Sequence, residues 1–385
     1  MARTIPIFAA KQPSTVTDLE FRVSPPLALY VHVPWCVQKC PYCDFNSHEA
    51  NGEIPEREYV DALIADLQSA LPLIWGRPVV SVFFGGGTPS LLSPAAIDEL
   101  LAAFRALAML SPEAEITLEA NPGTVEAAKF AGFSKAGVNR VSLGIQSFND
   151  DHLKALGRIH GADEAKRAAQ LAAEHFASFN LDLMYGLPGQ TLEQALSDVE
   201  MALSFKPPHL SCYQLTLEPN TRFAAFPPEL PEGDTCADMQ EAIEARLAGA
   251  GFANYETSAF AQTGKQCRHN LNYWHFGDYL GIGAGAHSKL TLHDRVLRQM
   301  RWKHPSAYLQ NIRAGTPVQE ETRIAAAGLP FEFLMNALRL ADGFPPALYE
   351  SRTAQSLNGI LPRLRAAEAD GLLAISPERI APTLR

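Results

Sequence analysis

Short apolar runs alternate with helical patterns through the first 216 residues, and this alternation limits the fold more strongly than any other feature. Six runs have the length and composition of strands, at residues 27–33, 79–84, 115–119, 140–145, 180–184 and 210–216. Segments of helical periodicity, such as residues 56–73 and 95–107, lie between them. Strands that alternate with helices predict a parallel sheet with right-handed crossovers. We therefore expect an α/β protein.

Two architectures fit six βα units. A full barrel closes with eight units, so six predict a partial, three-quarter TIM-like barrel of six parallel strands. A doubly wound open sheet is the alternative, and periodicity does not choose between them. In both architectures the carboxyl ends of the strands meet at one edge, where the chemistry takes place.

The length of the chain predicts more than one domain. The chain has 385 residues, and a single hydrophobic core stops growing at roughly 250–300 residues. We expect a polar amino-terminal tail over residues 1–25, a partial barrel over 26–260 and a smaller mixed α/β carboxyl-terminal domain over 261–385. The helical pattern of the last domain ends in a predicted hairpin near residues 373–380.

The charge balance limits the partners. Lysine and arginine number 32 and acidic residues 42, so the net charge is −10. Nucleic acid is bound by concentrated positive charge, and this balance argues against such a partner. No apolar run approaches the roughly 18 residues of a membrane span, and residues 5–10 are too few for a signal peptide. We expect a cytoplasmic protein.

Six cysteines are present, and three of them crowd into one motif directly after the first predicted strand, Cys36-Val-Gln-Lys-Cys40-Pro-Tyr-Cys43. A disulfide framework is typical of short secreted chains, whereas clustered cysteines in a cytosolic chain more often bind metal or take part in catalysis. The remaining cysteines are predicted to be ordinary thiols, and these are Cys212, Cys236 and Cys267.

Three thiolates on one loop suit either an iron–sulfur cluster or zinc. A structural zinc site requires four protein ligands, and the nearest candidates for a fourth are His32 and His48. A [4Fe–4S] cluster held by three cysteines keeps one iron open to another molecule. The motif therefore favours a cluster bound by Cys36, Cys40 and Cys43.

Unusual polar or glycine-rich segments also follow the other predicted strands. They are Gly85-Gly86-Gly87-Thr88-Pro89, Glu119-Ala120-Asn121-Pro122, Gln146, and Asp182 with Gly186-Leu187-Pro188-Gly189. Because the carboxyl ends of parallel strands meet at one edge, these segments predict one site shared with the cysteine loop.

A C-x3-C-x2-C loop after the first strand of a βα barrel resembles the radical S-adenosylmethionine (SAM) superfamily. The resemblance implies that SAM chelates the open iron through its amino and carboxylate groups, and that the reduced cluster cleaves it. It also favours the three-quarter barrel over the doubly wound sheet. The positions that match SAM contacts of the superfamily are Tyr30, Tyr42, Gly87, Thr88, Glu119, Gln146, Arg158 and Asp182, with Thr216 and His287 as later, weaker contacts.

From Ala28 onward the chain is most similar to the branch of the superfamily that contains oxygen-independent coproporphyrinogen III oxidases and haem chaperones. The oxidase motif continues to a fourth cysteine, where this chain has Phe45. The oxidases also have a longer amino-terminal extension than the 29 residues that precede Tyr30 here. Both differences favour a haem chaperone, with oxidative decarboxylation of coproporphyrinogen III as the alternative.

The segment His269-Asn270-Leu271-Asn272-Tyr273-Trp274 matches HNxxYW, which resembles the haem-binding signature of the chaperone branch. A histidine can supply an axial nitrogen to haem iron, and aromatic rings pack on a porphyrin face. We therefore predict haem contacts by His269, Asn270, Tyr273 and Trp274, with His275 and His287 as competing ligands. The implied partners are a haem-accepting protein and an electron donor for the cluster. Peripheral membrane contact, and the choice between monomer and dimer, stay open.

Overall fold

The computed structural model of the chain describes residues 19–50, 52–124 and 127–383. Of the predicted amino-terminal tail, residues 1–18 lie outside the described residues. The strands are β1 Leu27–Val33, β2 Trp35–Cys36, β3 His48–Glu49, β4 Pro78–Gly86, β5 Met109–Ala120, β6 Arg140–Gln146, β7 Ser178–Tyr185, β8 His209–Gln214, β9 Ala253–Glu256, β10 Ala259–Ala261, β11 Asp278–Ile282, β12 His287–Thr291, β13 Val296–Arg301, β14 Val318–Arg323, β15 Leu373–Ile375 and β16 Ile380–Pro382. The α-helices are α1 Glu56–Ile74, α2 Pro94–Leu107, α3 Ala127–Ala136, α4 Asp150–Ala155, α5 Ala162–His175, α6 Leu192–Ser204, α7 Arg222–Ala225, α8 Gly233–Gly249, α9 Arg268–Trp274, α10 Pro305–Arg313, α11 Leu329–Ala337, α12 Pro346–Thr353 and α13 Leu361–Ala369. Short 3₁₀ turns lie at Pro89–Leu91, Pro122–Thr124, Ala326–Gly328 and Leu357–Gly359.

All six predicted strands are present, as β1 and β4 to β8, and they lie side by side in chain order with parallel pairing. Every crossover between parallel strands is right-handed. When each strand is added on the same side of the previous one, this handedness places all the connecting helices on one face of the sheet. This is the arrangement of a barrel, whereas a doubly wound sheet reverses its order and covers both faces. The partial-barrel prediction is confirmed. Within the described residues the edge strands β9 and β14 do not pair with each other, so the sheet stays open.

A further parallel strand is not visible in the sequence pattern. Strand β11 pairs in parallel with β1, with Leu27 opposite Asp278. Strands β12, β13 and β14 continue the same sheet in antiparallel order. The pattern misses β11 because the strand has only five residues and Gly281 interrupts it. The sheet therefore runs past residue 260, and the division of the chain at that residue stays a prediction.

Two apolar cores hold these elements together. The larger core lies between the parallel strands and the helices that cover them, and it fully buries Leu63 and Phe84. The smaller core lies around α11, α12 and α13, where the ring of Phe333 packs edge-on against Phe344 with centroids 4.9 Å apart. Strands β15 and β16 pair there as the hairpin that the sequence predicts near residues 373–380.

The described end of the predicted tail packs against this smaller core. The side chain of Phe21 is buried in it, and the backbone N–H of Phe21 donates to the carbonyl oxygen of His293 at 2.9 Å. Among the residues that the structure describes, no helix combines the length and apolar character required to cross a bilayer.

A buried cluster of charges holds β11 in the sheet. The carboxylate of Asp278 accepts hydrogen bonds from Nζ of Lys289 at 3.0 Å and from Nη2 of Arg77 at 2.8 Å. The backbone N–H of Thr291 donates to the same carboxylate at 2.7 Å. A buried carboxylate is tolerated only when it is paired and hydrogen-bonded, as here. The start of β11 is thereby joined to β12 and to the segment that precedes β4.

Candidate functional site

A cavity of about 430 Å³ lies at the carboxyl ends of the parallel strands. It brings together most of the residues that the sequence analysis assigned to the cluster and to SAM. The predicted residues that line it are Cys36, Cys40, Tyr42, Cys43, Gly87, Thr88, Glu119, Gln146, Arg158, Asp182 and Thr216. Tyr30 and His287 are the two predicted residues that do not line it.

The cysteine loop begins at the end of β2 and folds back on itself. The backbone N–H of Cys43 donates to the carbonyl oxygen of Cys40 at 3.1 Å. The ammonium group of Lys39 donates to the carbonyl oxygen of Phe45 at 3.1 Å. Cys36, Cys40 and Cys43 are half-buried free thiols that line the same cavity. Soft sulfur donors around one cavity are the donor set that a cubane cluster requires.

A cluster and a single metal ion make different demands on these sulfurs. Within the described ranges, no group of three His, Cys, Asp or Glu side chains is arranged to hold one metal ion. In a cubane each cysteine binds a different iron, so the three sulfurs do not need to converge on one point. Burial raises the pKa of the Cys36 and Cys43 thiols, and these protons have to leave when thiolates bind iron.

The glycine turn after β4 brings its backbone against the cysteine loop. The N–H of Gly87 donates to the carbonyl oxygen of Val33 at 2.8 Å, and the N–H of Thr88 donates to that of Trp35 at 2.7 Å. A Cβ at Gly87 would lie 2.5 Å from the carbonyl oxygen of Trp35. Position 87 therefore has room only for glycine, and a ligand in the cavity meets backbone there.

Arg158 lies between α4 and α5 and forms part of the cavity wall. Its Nη2 donates to Oδ1 of Asn121 at 2.6 Å and to the carbonyl oxygen of Gly144 at 2.9 Å. Its Nη1 donates to Sγ of Cys40 at 3.4 Å. Its Nε is buried and has no hydrogen-bond partner among the described residues. An unsatisfied buried donor costs about 1–3 kcal/mol, and a polar ligand atom in this cavity would satisfy it.

Two half-buried carboxyl groups, Glu119 and Asp182, share the cavity. Burial, reinforced by the charge of Asp182, raises the pKa of Glu119 to about 8. Burial also raises the pKa of Asp182. The N–H of Gly86 donates to Glu119 at 3.2 Å, and Nδ2 of Asn180 donates to Asp182 at 2.7 Å. Glu119 is therefore mostly protonated at neutral pH, so it can both donate and accept a hydrogen bond to a diol.

Gln146 ends β6 in a left-handed backbone conformation, with φ 69°. This conformation is uncommon for a residue other than glycine. The hydroxyl of Tyr213 donates to Oε1 of Gln146 at 2.8 Å. Tyr213 and Ser142 also line the cavity, and the sequence analysis did not identify them. Asn121 lines it too, in a segment that the sequence analysis placed at the site without a specific role. Alternation along β6 could have identified Ser142, which shares a strand face with Gln146.

Tyr30 lies on β1 and does not line the cavity. Nε2 of His32 is 2.9 Å from the carbonyl oxygen of Asn46, so this nitrogen carries the proton and donates. Nδ1 of His32 therefore accepts from the Tyr30 hydroxyl at 3.0 Å. A Cβ at Gly85 would lie 3.0 Å from the Tyr30 ring and 3.1 Å from Oε2 of Glu119. The ring thus lies next to Glu119.

Thr216 and His287 differ in their distance from the cavity. Thr216 is exposed at the rim, where its hydroxyl donates to Oε1 of Glu218 at 2.8 Å. His287 is exposed on β12, two strands from β1 in the sheet, which is a separation of about 10 Å. The structure does not bring His287 into the cavity, so its contact with SAM stays a prediction without geometric support.

The predicted haem motif forms α9, at the opposite, amino-terminal end of the barrel strands. His269 is only 3% exposed, and its Nδ1 lies 3.0 Å from Oγ of Ser81. Its ring stacks on Phe83 with centroids 4.8 Å apart, and Tyr273 packs edge-on against it at 5.1 Å. His269 and Tyr273 therefore fill the interior of the barrel.

The other two residues that were predicted to contact haem, Asn270 and Trp274, have different surroundings. Oδ1 of Asn270 accepts from Sγ of Cys267 at 3.4 Å. The guanidinium of Arg339 lies over the ring of Trp274, 5.1 Å from its centroid. The four residues predicted to contact haem therefore do not form one surface, and their role in haem binding stays a prediction.

The sheet topology and the cysteine loop together define the class of protein, which is a radical SAM fold. Family models agree with this assignment. The model of the radical SAM superfamily matches residues 30–202, and the model of the HemN C-terminal domain matches residues 326–385.

Comparison with individual proteins shows to which branch of the superfamily the chain is similar. The heme chaperone HemW of Escherichia coli strain K12 is 52% identical over 351 residues, which are 91% of this chain and 92% of that protein. The heme chaperone HemW of Haemophilus influenzae is 52% identical over 342 residues, covering 87% of this chain and 88% of that protein. The solved structure of Escherichia coli coproporphyrinogen III oxidase, HemN, shares the fold, with a TM-score of 0.79 and 24% identity across 94% of this chain and 87% of that one. The chain belongs to the radical SAM superfamily, in the HemN-like branch that includes the HemW proteins.

Proposed function

We propose that the chain is a haem chaperone that carries a [4Fe–4S] cluster with exchangeable SAM, binds haem and delivers it to an acceptor protein. The main observation that supports this proposal is the residue at position 45. Two residues after Cys43, where the oxidase motif continues with a cysteine, the chain has Phe45, whose side chain is 60% exposed at the cavity mouth. A phenyl ring supplies no thiolate for binding or redox chemistry there.

The relatives support the same function. Both HemW proteins carry the description of a heme chaperone, and each aligns with nearly the whole chain at 52% identity. The HemN structure supports the fold alone, because its identity is 24%.

The cavity residues fit a cluster and SAM in number and in chemistry. Cys36, Cys40 and Cys43 would each bind one iron, which leaves the fourth iron to the amino and carboxylate groups of SAM. When bound, the cluster supplies a single electron to SAM. The three cysteines and Arg158 line the same cavity. The guanidinium of Arg158 would stabilise the thiolate of Cys40 through the hydrogen bond from its Nη1.

The remaining residues would bind and orient SAM. The backbone around Gly87 would approach its amino group, since no side chain fits at that position. Protonated Glu119, together with Asp182, would bind the ribose hydroxyls. The partly buried ring of Tyr42 would lie against the adenine. The unpartnered Nε of Arg158 would gain a polar partner.

Two partners follow from this proposal. A haem carrier requires an acceptor protein, and a reducible cluster requires an electron donor. We infer that α9 takes part in haem binding, because it contains the motif shared with the chaperone branch. The net charge of −10 speaks against nucleic acid as a third partner.

Anaerobic reconstitution with iron and sulfide, followed by haem titration, tests the proposal. We expect about four irons and about one haem per chain. The bound haem should then pass to an apo-haemoprotein, and the optical spectrum of that acceptor measures the transfer. If the same preparation decarboxylates coproporphyrinogen III at enzymatic rates while it consumes SAM, the protein is an oxidase and the proposal is wrong.

A further inference from the structure

We propose that haem binds in a second cavity at the amino-terminal end of the barrel, where His275 is the axial ligand of the iron and Arg352 and Arg268 pair with the propionates. The inference rests on the proposed function and names the site of its cargo. It differs from ligation by His269, which the HNxxYW motif suggests.

The second cavity has a volume of about 510 Å³, within the usual range of about 300–1,000 Å³ for ligand sites. Its apolar wall includes Val80, Leu271 and Leu348. Val80 lies at the start of β4 and Gly86 at its end, so the two cavities are about 20 Å apart along this strand. The space that a cluster and SAM would occupy is therefore separate from this cavity.

The two faces of α9 have different surroundings. Side chains three or four residues apart lie on one face of a helix. His269 and Tyr273 share the face that fills the barrel, while Arg268, Leu271 and His275 share the face that lines the second cavity. A macrocycle could reach His269 only by opening the barrel interior. His275 is half-buried at the cavity wall and needs no such change.

His275 is held in place at the cavity wall. It caps the carboxyl end of α9, where its backbone N–H donates to the carbonyl oxygen of Leu271 at 2.9 Å. Its half-buried side chain lines the cavity together with Leu271 and Arg352. An imidazole nitrogen is a common metal ligand in proteins.

Arg352 is a cation at the cavity wall that is able to pair with an anionic ligand. This half-buried guanidinium lines the cavity, and its Nε donates to the carbonyl oxygen of His275 at 3.3 Å. It forms no ion pair with any carboxylate in the described part of the chain. The carboxylate that acts on it electrostatically, Asp278, already pairs with Arg77 and Lys289. A partly desolvated cation without a counter-charge is costly, and an anionic ligand removes that cost.

A second arginine is available on the same side. Nη1 of Arg268 donates to the carbonyl oxygen of Glu113 at 2.6 Å, and the side chain is exposed at the cavity edge. Glu113 also lines this edge of the cavity, and its negative charge repels an anionic group there. A ligand would therefore direct its carboxylates toward Arg352. Haem has apolar faces, two propionate carboxylates and an iron that binds an imidazole. The leucine and valine side chains would contact its faces, the two arginines would pair with the propionates and the histidine would bind the iron.

Titration with ferric haem and with iron-free protoporphyrin IX tests the site on the reconstituted protein. His275→Ala and the isosteric His275→Gln should abolish the Soret shift of bound haem and weaken its binding at least about tenfold, while protoporphyrin IX binds as before. Arg352→Gln should weaken both ligands about tenfold, because a charge-assisted hydrogen bond is lost. His304→Ala, at an exposed histidine near the cysteine end, is the matched control and should change neither. Replacement of all three cluster cysteines by alanine should leave haem binding intact.

The outcomes separate this inference from the proposed function. If the unaltered protein binds haem and His275→Gln leaves both the Soret band and the affinity unchanged, the second cavity is not the haem site, while the chaperone function stands. Loss of haem binding in the cysteine variant would place haem at the cluster end and also overturn the inference. If the unaltered protein binds no haem at all, the proposed function fails together with it.

Discussion

Asp66 and Arg301 form a fully buried ion pair between α1 and β13, with Nε of the arginine 3.0 Å from Oδ1 of the aspartate. The hydroxyl of Tyr308 donates to Oδ2 of Asp66 at 2.9 Å, and the N–H of Gly283 donates to it at 3.1 Å. Neither side chain is exposed to solvent, so each charge depends on the other for compensation. The pair joins the first helix of the barrel to the strands that the sequence pattern does not predict.

Replacing Asp66 by alanine should therefore decrease the free energy of unfolding by about 3–5 kcal/mol, because Arg301 would remain buried without a counter-charge. Chemical denaturation measures this change. Asp61→Ala is the control on the same helix, since Asp61 pairs with Arg57 in full contact with solvent. The control should be nearly neutral, and equal losses from both variants would contradict a special role for Asp66.

The cysteine loop makes a prediction about metal content. Cys36→Ser should reduce iron and acid-labile sulfide to background after anaerobic reconstitution, because two cysteines do not hold the cubane. Cys236→Ser, at a buried cysteine on α8, should keep about four irons per chain. Equal iron content in both variants would show that the cluster is bound elsewhere.

Gly87 should not tolerate a side chain. In Gly87→Ala the new Cβ would collide with the carbonyl oxygen of Trp35, so the cysteine loop and the glycine turn must separate. We expect a loss of stability of about 1–3 kcal/mol and a clear weakening of SAM binding, followed by calorimetry. Gly249→Ala at the end of α8, where a Cβ meets nothing within 4 Å, is the matched control. A Gly87→Ala variant with normal SAM affinity would exclude close backbone contact.

Arg158 should be needed for its shape as well as its charge. Arg158→Lys keeps the charge but cannot reach Asn121, Gly144 and Cys40 together, because an ammonium group lacks the planar fork. We expect SAM affinity to fall by about tenfold or more, with the iron content retained. Arg222→Lys on the exposed surface of α7 should leave the affinity unchanged. Wild-type affinity in Arg158→Lys would remove this residue from the SAM site.

Glu119 predicts a pH dependence of stability in the absence of SAM. Its pKa is about 8 in the folded protein, against 4.5 as the ordinary value, mainly through burial and then through Asp182. Between these values the folded state binds more protons than the unfolded chain, so the free energy of unfolding decreases as pH rises and levels off above about pH 8. The slope from one such group reaches at most about 1.4 kcal/mol per pH unit.

Glu119→Gln should make this slope shallower, since the variant has no proton to lose at that position. Denaturation curves from pH 5 to 9, about the range that the two pKa values span, provide the measurement. Glu99→Gln, at an exposed carboxylate paired with Arg57, should keep the wild-type slope over this range. Identical slopes for the wild type and Glu119→Gln would mean that Glu119 is ionised in the folded protein.

Local patterns were sufficient for much of the fold and the site. The α/β class and the presence of six parallel strands follow from periodicities that repeat within a few residues. The order of these strands in the sheet was predicted from the resemblance to the superfamily. The predicted cluster ligands follow from the spacing of the cysteines within residues 36–43. A shared site at the strand ends was predicted because parallel strands end at one edge. The assignment of its residues to SAM came from the resemblance to the superfamily. Tyr213 was missed, since its hydrogen bond to Gln146 joins two different strands across the cavity.

The sequence by itself therefore determined the six parallel strands of the barrel and predicted the chemistry of its cysteine loop, because those properties belong to short stretches of chain. Only the tertiary structure decided that β11 pairs with β1, that His269 lies inside the barrel and that Arg352 meets His275 from 77 residues away. Such neighbours are selected when buried surfaces and charges satisfy one another in the folded chain. No local periodicity records that choice, since it depends on segments that are far apart until the chain folds.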